Sequence, residues 1–481
     1  MHSAEQNPSR SLYDIERFRN QGHELVDMLA GYLAAVTAGE SLPVLDWTKP
    51  EEMMQRWPVP GAGERRADLV SLLREVMKSA NHLHHPMHMG HQVSPPLLEA
   101  ALCDLTASVL NNGMAVYEHG AAVTAMELQA VTWMAKVIGF GDQADGLLTS
   151  GGSVGNLTAL LAAREAAMGR GIASRNAQLA VLGTEHAHYS INRAVRIMGW
   201  GDEGFVTVPH DESLRLRPEA LEESFHDAQK SGMHVVAVVA NACCTPTGTY
   251  DPLPAIADFC ERRNLWLHVD GAHGAAACLS DKYRHLVSGI ERADSVVWDA
   301  HKLLLMPALC TAVLFKSRSN THAAFAEKAS YLFDRTAEEE RYNLGHRTIE
   351  CTKRMLGLKL YATLACNGTQ VLGGYVTHAF DLARSFAELI EAAPDFELAS
   401  PPESNIVCFR YTPSGARDLD RLQASTRQRL IESGKTYIVQ VRLPKGLFLR
   451  TTLMNPLTSE KHLTMLLNLI RESNRGGSYN E

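Results

Sequence analysis

Six short apolar runs between Gly146 and Phe315 limit what this chain can fold into, because each breaks off at a polar or glycine-containing turn: Gly146–Ser150, Leu179–Leu182, His234–Ala240, Asn264–Asp270, Ser295–Trp298 and Thr311–Phe315. Runs this short and this continuously apolar read as strands buried on both faces. Helical patterns follow the first two, so βα units and a mainly parallel sheet are the simplest arrangement. At 481 residues the chain can bury a large core and fill more than one domain. In open α/β sheets ligands collect beyond the carboxyl ends of the strands, which is where chemistry is to be sought.

Two of those ends carry groups that need a reason to be there. Asp270 closes the run Asn264-Leu-Trp-Leu-His-Val-Asp270 before the chain turns through Gly271. Lys302 follows Asp299-Ala-His301 and precedes the apolar segment Leu303–Ala308. A buried cation must be paired, neutralised or covalently used, and an apolar setting lowers an amine's pKa toward nucleophilic use. A lysine and an aspartate delivered by two such strand ends fit a pyridoxal phosphate site. The lysine would hold the cofactor's aldehyde and the aspartate would pair with the ring nitrogen.

Ser295, Lys302, Cys310 and Lys316, with the HVD ending at Asp270, the TSGGS segment at Thr149–Ser153, the HYS segment at His188–Ser190 and the ASYLF segment around Tyr331, carry a specific resemblance. Over roughly Leu12–Glu472 the chain resembles the pyridoxal-phosphate-dependent amino acid decarboxylases, the group with glutamate, cysteine sulfinate and aromatic amino acid decarboxylases. It departs from that pattern in three places. Asp299-Ala300 stands where the family usually has Asn-Pro, Cys243 and Cys244 replace the first two members of a Gly-Thr-Thr turn, and His186 stands where relatives often carry glutamine.

The resemblance implies an α/β, fold type I (aspartate aminotransferase-like) architecture with a mainly parallel seven-stranded sheet. Its parts would be an N-terminal helical segment over 1–95, a large cofactor-binding domain over 96–372 and a small α+β C-terminal domain over 373–481. It implies a homodimer with active sites at the subunit interface. Among site residues it implies Lys302 on the aldehyde, Asp270 on the ring nitrogen, His188 stacked on the ring with Ala272 behind it, and Thr245 as a further cofactor contact. Gly152, Ser153 and His301 would grip the phosphate. A Gly-Gly-Ser turn before a helix is weak evidence alone, although glycines and free helix amides suit an anion. Tyr331 would be the proton donor of a loop over the site, His91 or Gln92 would line the substrate mouth, and Arg450 would bind a substrate carboxylate with its planar fork.

The expected reaction is decarboxylation of an L-amino acid to its amine and carbon dioxide. Tyr331, where phenylalanine in relatives favours aldehyde formation, supports simple decarboxylation over an oxidative aldehyde-forming or aminotransferase reaction. Retention of Lys302, Asp270, His188 and Tyr331 together argues against a non-catalytic binding or scaffold protein. Cys351, Arg354 and the YLF at Tyr331 lean toward a small acidic substrate, whereas the opening FRNQGHELVDMLAGYL resembles the aromatic branch.

The remaining features exclude more than they propose. A net charge of −8 without a basic stripe argues against nucleic acid. No apolar run reaches the length of a membrane span, the opening MHSAEQNPSRS lacks a signal core, and nine scattered cysteines read as reduced thiols, so a cytoplasmic protein is expected. Five histidines within His82–His91 invite a metal, but Pro86 interrupts any helix that would align them and no carboxylate accompanies them, so no metal is expected. Leu12, Ile15, Phe18, Leu25, Val26, Leu29, Tyr32 and Leu33 recur at helical spacing, an apolar stripe that needs a partner.

Overall fold

The computed structural model describes residues 12–39, 42–59, 68–174, 176–322, 324–325 and 341–475. The expected strands form, with one added: β1 (Asp145–Thr149), β2 (Leu179–Gly183), β3 (Phe205–Thr207), β4 (His234–Asn241), β5 (Trp266–Asp270), β6 (Ser295–Asp299) and β7 (Thr311–Phe315). They make one seven-stranded sheet in the order β1-β7-β6-β5-β4-β2-β3. The pairings among β2 to β6 are parallel, while β7 runs antiparallel to both β6 and β1. The reason is the connection 300–310, which contains no helix. A parallel neighbour needs a long crossover; a short return gives an antiparallel one.

Every residue of β1, β2, β5, β6 and β7 is buried, as a sheet covered on both faces requires. Successive strand residues point to opposite sides, and two cores result. Val181, Val297, Val313 and Trp266 pack with Leu157, Leu160 and Ala163 of the helix Gly152–Gly169. Leu182, Val296, Trp298, Ala312 and Leu314 pack with Val131 and Met134 of the helix Ala121–Val137 and Ile256 of the helix Leu253–Arg263.

The chain packs as two compact units. One gathers the described parts of Met1–His91, Tyr411–Leu449 and Asn455–Glu481; the other comprises Gln92–Arg410 with Arg450–Met454 and holds the whole seven-stranded sheet. This grouping cuts across the three consecutive spans 1–95, 96–372 and 373–481. Within the first unit the histidine-rich segment is tied to late parts of the chain. Asn455 Nδ2 donates to the carbonyls of Leu83 and His85, and Thr458 Oγ1 donates to that of Pro86. His82 Nδ1 lies 3.0 Å from the Tyr32 hydroxyl, His85 Nδ1 accepts from the Met87 amide, and His88 stacks on Tyr437. Burial pushes all three rings below the ordinary histidine range, His88 to about 4. These histidines serve as neutral packing groups of a loop.

Candidate active site

β4, β5 and β6 end side by side, with Asn241 opposite Asp270 and Asp270 opposite Val297. The helix Gly152–Gly169 begins at the exit of β1, after Gly151 at φ 141°, a conformation left to glycine. A Cβ on Gly152 would stand 3.2 and 3.3 Å from the Asp299 carboxylate oxygens, a tight contact to which that carboxylate would have to yield, so the helix N-terminus lies close against the end of β6. The unpaired amides of that first turn are a ready anion site.

A chain of hydrogen bonds fixes the buried carboxylate of Asp270. Asn156 Nδ2 donates to its Oδ2 at 2.9 Å and the Ala272 amide to its Oδ1 at 3.2 Å. The same Asn156 Nδ2 donates to Ser190 Oγ at 2.8 Å, so Asn156 Oδ1 must be the atom facing His268 Nε2 at 3.0 Å. That logic assigns the proton of His268 to Nε2. Its Nδ1 then accepts from Ser295 Oγ at 2.8 Å, which in turn accepts from Trp266 Nε1 at 2.8 Å. Burial pushes His268 down to about 4, against the pull of Asp270, which keeps the ring neutral. On the other side Ser190 Oγ donates to His188 Nδ1 at 2.7 Å, leaving the proton of His188 on Nε2. One network therefore sets Asp270 and both histidine tautomers.

Lys302 Nζ lies 3.0 Å from Asp299 Oδ2. This corrects the expectation of an amine lowered by apolar surroundings. Burial alone would lower the ammonium, but Asp299 and then Asp270 outweigh it and hold Lys302 above its ordinary value. Burial likewise opposes ionisation of Asp299; Lys302, then His301, and the Thr311 hydroxyl at 2.6 Å overcome it, and its pKa falls. The lysine is an ammonium paired with the residue that stands in place of the family's asparagine. Asp299→Asn should therefore lower the Lys302 pKa, each unit giving about tenfold more free amine near neutrality. The expected outcome is faster uptake of pyridoxal phosphate by the cofactor-free protein at pH 7, followed as visible absorbance; an unchanged rate would count against Asp299 as the controlling charge.

One pocket brings together Gly152, Ser153, His188, Thr245, Asp270, Ala272 and Lys302. Other expected residues fall elsewhere. His301 is turned so that its Nδ1 lies 3.0 Å from the Cys310 carbonyl oxygen, and it does not line the pocket. Arg450 is buried beside it and donates from Nη2 to the Thr245 carbonyl at 2.8 Å, while its Nε has no partner. Gln92 also lies outside the lining and has a buried Nε2 without a partner. His91 belongs to the first unit, its ring 5.9 Å from that of Tyr437. Tyr331 is outside the described residues.

Four lining residues were not assigned a place there: Asn156, Cys243, His273 and Asp299. Burial pushes the Cys243 thiol up to about 12, so it is an inert wall. His273 Nε2 meets Asn405 Oδ1 at 2.7 Å, its Nδ1 is buried without a partner, and burial pushes the ring down to about 3. The signal for His273 was a histidine three residues past Asp270, in the turn where strand chemistry was sought.

The donor set suits pyridoxal phosphate: a buried primary amine for an aldehyde, a buried and immobilised carboxylate for a ring nitrogen, and a glycine-opened helix N-terminus for a phosphate. A larger cleft of about 590 Å3 near Arg164 and Trp200 has no such amine in its wall.

The comparisons agree with that chemistry. Residues 50–412 match the pyridoxal-dependent decarboxylase conserved domain. The chain is 28% identical to the aromatic-L-amino-acid decarboxylase of Bacillus atrophaeus, covering 95% of each. It is 30% identical to the human cysteine sulfinic acid decarboxylase, covering 90% of this chain and 92% of the relative. The crystal structure of mouse CSAD in its apo form superposes with a TM-score of 0.89 at 26% identity, covering 96% of this chain and all of the other. With its fold, its lysine and its buried aspartate in register with this chemistry, the chain belongs to the family of pyridoxal-dependent decarboxylases and is a carboxy-lyase that works with pyridoxal phosphate.

Proposed function

We propose that this decarboxylase acts on a small acidic L-amino acid, such as aspartate, glutamate or cysteine sulfinate, and releases the amine and carbon dioxide. The observation that carries the reaction is the convergence of Lys302 and the immobilised Asp270 on one pocket. Bound pyridoxal phosphate supplies an aldehyde that condenses with amines and a ring that accepts the electron pair of a bond broken at the α-carbon. Lys302, the primary amine in the wall of this pocket, would hold that aldehyde. Asp270, oriented by Asn156 and the Ala272 amide, would keep a proton on the ring nitrogen. Gly152 and Ser153 would offer amides to the phosphate, Thr245 would add a contact, and His188 and Ala272, which line the same pocket, would flank the ring. Tyr331 would return a proton to the α-carbon. Arg450, a buried cation with an unsatisfied Nε, is the candidate for a substrate carboxylate, and Gln92 and His91 are candidates for the substrate mouth.

Support for the acidic substrate comes from Cys351 and Arg354 in the sequence and from the cysteine sulfinic acid decarboxylase relative. The aromatic relative from Bacillus atrophaeus sets the competing arm of the test. Amine release should be measured across the twenty amino acids with cysteine sulfinate and diaminobutyrate added. The acidic set should lead, with carbon dioxide and amine in equal amounts and no peroxide or keto acid. A lead by an aromatic substrate would reverse the assignment.

We also propose a homodimer. On the helix Ile15–Ala38 the side chains of Ile15, Phe18, Val26 and Leu29 are exposed, and on the helix Leu98–Leu110 so are Leu98, Leu102, Leu105 and Val109. Stripes of this kind support burial against a second copy. Charging one of them with the pair Ile15→Glu and Phe18→Glu should halve the mass measured by light scattering; a mass that stays at two chains would remove that helix from the interface.

A further inference from the structure

β2 and β3 end next to each other, with Gly183 opposite Thr207, and the turns beyond them bring three ligand-type side chains together. His210 Nδ1 lies 2.7 Å from the Asp211 carbonyl oxygen, an atom that can only accept, so Nδ1 carries a proton. The other ring nitrogen, Nε2, lies 3.3 Å from His186 Nε2 and 3.2 Å from Glu185 Oε1. His186 Nε2 and Glu185 Oε1 are 3.8 Å apart. Around a tetrahedral ion with ligands at about 2.0–2.1 Å, neighbouring ligand atoms stand about 3.3–3.4 Å apart. The three atoms thus outline three corners of such a shell.

Neutral rings do not satisfy this triangle. With the His210 proton on Nδ1, its Nε2 lone pair faces a carboxylate oxygen, and one proton on His186 can relieve only one of the close contacts. A cation at the centre relieves all three. The bond from His210 Nδ1 to a backbone carbonyl is the outer contact that orients a metal-binding imidazole. The turn that presents it is held by Asp211 Oδ1, which accepts from the Ser213 and Arg215 amides. Both rings are about one-fifth exposed and Glu185 is mostly exposed, which leaves solvent access for a water ligand.

We propose that Glu185, His186 and His210 bind a divalent transition metal of the zinc class, with water as fourth ligand. Two imidazoles and one carboxylate are a donor set for Zn2+ and not for Mg2+ or Ca2+, which take oxygen ligands. The site is separate from the cofactor pocket, whose lining contains none of the three residues. An ion there joins the turn after β3 to the turn after β2, two residues ahead of His188.

The test uses the full chain loaded with pyridoxal phosphate and freed of metal by a chelator. Titration with Zn2+ alone, followed by calorimetry, should show one ion per chain, and Co2+ should give the strong visible bands of a tetrahedral site. His210→Gln should weaken Zn2+ binding by at least about 10-fold, the smallest cost of losing even an outer-shell partner, and remove the rise in melting temperature that bound Zn2+ produces. The exposed control His226→Gln should leave both unchanged. If His210→Gln does not fold, Glu185→Gln, on the solvent side, carries the same comparison. Absence of stoichiometric binding, or binding that neither variant weakens, overturns the proposal; so does a histidine NMR titration showing His210 as an imidazolium that Zn2+ does not displace.

Discussion

Replacing Lys302 by arginine is expected to give a colourless protein whose kcat has fallen by more than about 10^3-fold, because the nucleophile is removed while the charge stays. Arginine is the more discriminating substitution here. Lys302→Ala would leave Asp299 as a buried carboxylate without its cation, a loss of up to about 3–5 kcal/mol, and inactivity could then reflect unfolding. Asp299 has Thr311 and His301 as remaining neighbours, which softens that effect. A guanidinium keeps the pair with Asp299 and cannot condense with an aldehyde at neutral pH. Visible absorbance, kcat and melting temperature should be read together on the purified protein. A variant that remains yellow and turns over within tenfold of the parent would remove Lys302 from the centre of the mechanism.

Asp270→Asn is the second large effect, with an expected loss in kcat on the order of 10^2–10^3-fold, the scale for removing one preorganised electrostatic group. The carboxylate accepts from both Asn156 and the Ala272 amide. An asparagine has one accepting oxygen, so one of those buried donors loses its partner, at about 1–3 kcal/mol. The variant should melt lower yet still take up cofactor through Lys302. Retained colour with lost turnover is the signature that separates the role on the ring nitrogen from a folding defect. Turnover within a few-fold of the parent would sink that role.

The sheet and its two chemical strand ends were legible because strand burial and strand exit are local properties, visible in Trp266–Asp270 and Ser295–Trp298. β3 escaped notice because Phe205–Thr207 is three residues long and only partly buried, too short for any pattern. Asn156 could be seen in the turn after β1, but its bond to Asp270 spans 114 positions and exists only once the helix Gly152–Gly169 is laid on the sheet. The environment of Lys302 was misread for a simpler reason. The apolar residues that follow it point into the core, while the side chain itself faces Asp299, three positions back. His301 was expected on the phosphate; its Nδ1 faces the backbone at Cys310, where the chain returns to begin β7, and its Nε2 lies 3.6 Å from the Asp299 carboxylate.

The hydrogen-bonded series from Trp266 through Ser295, His268 and Asn156 to Asp270 has a consequence for how this protein tolerates substitution. Each member gives its proton in one direction, so removing any one side chain leaves a buried neighbour without its partner. Single substitutions here are expected to lower the melting temperature more than paired ones that remove a donor together with its acceptor.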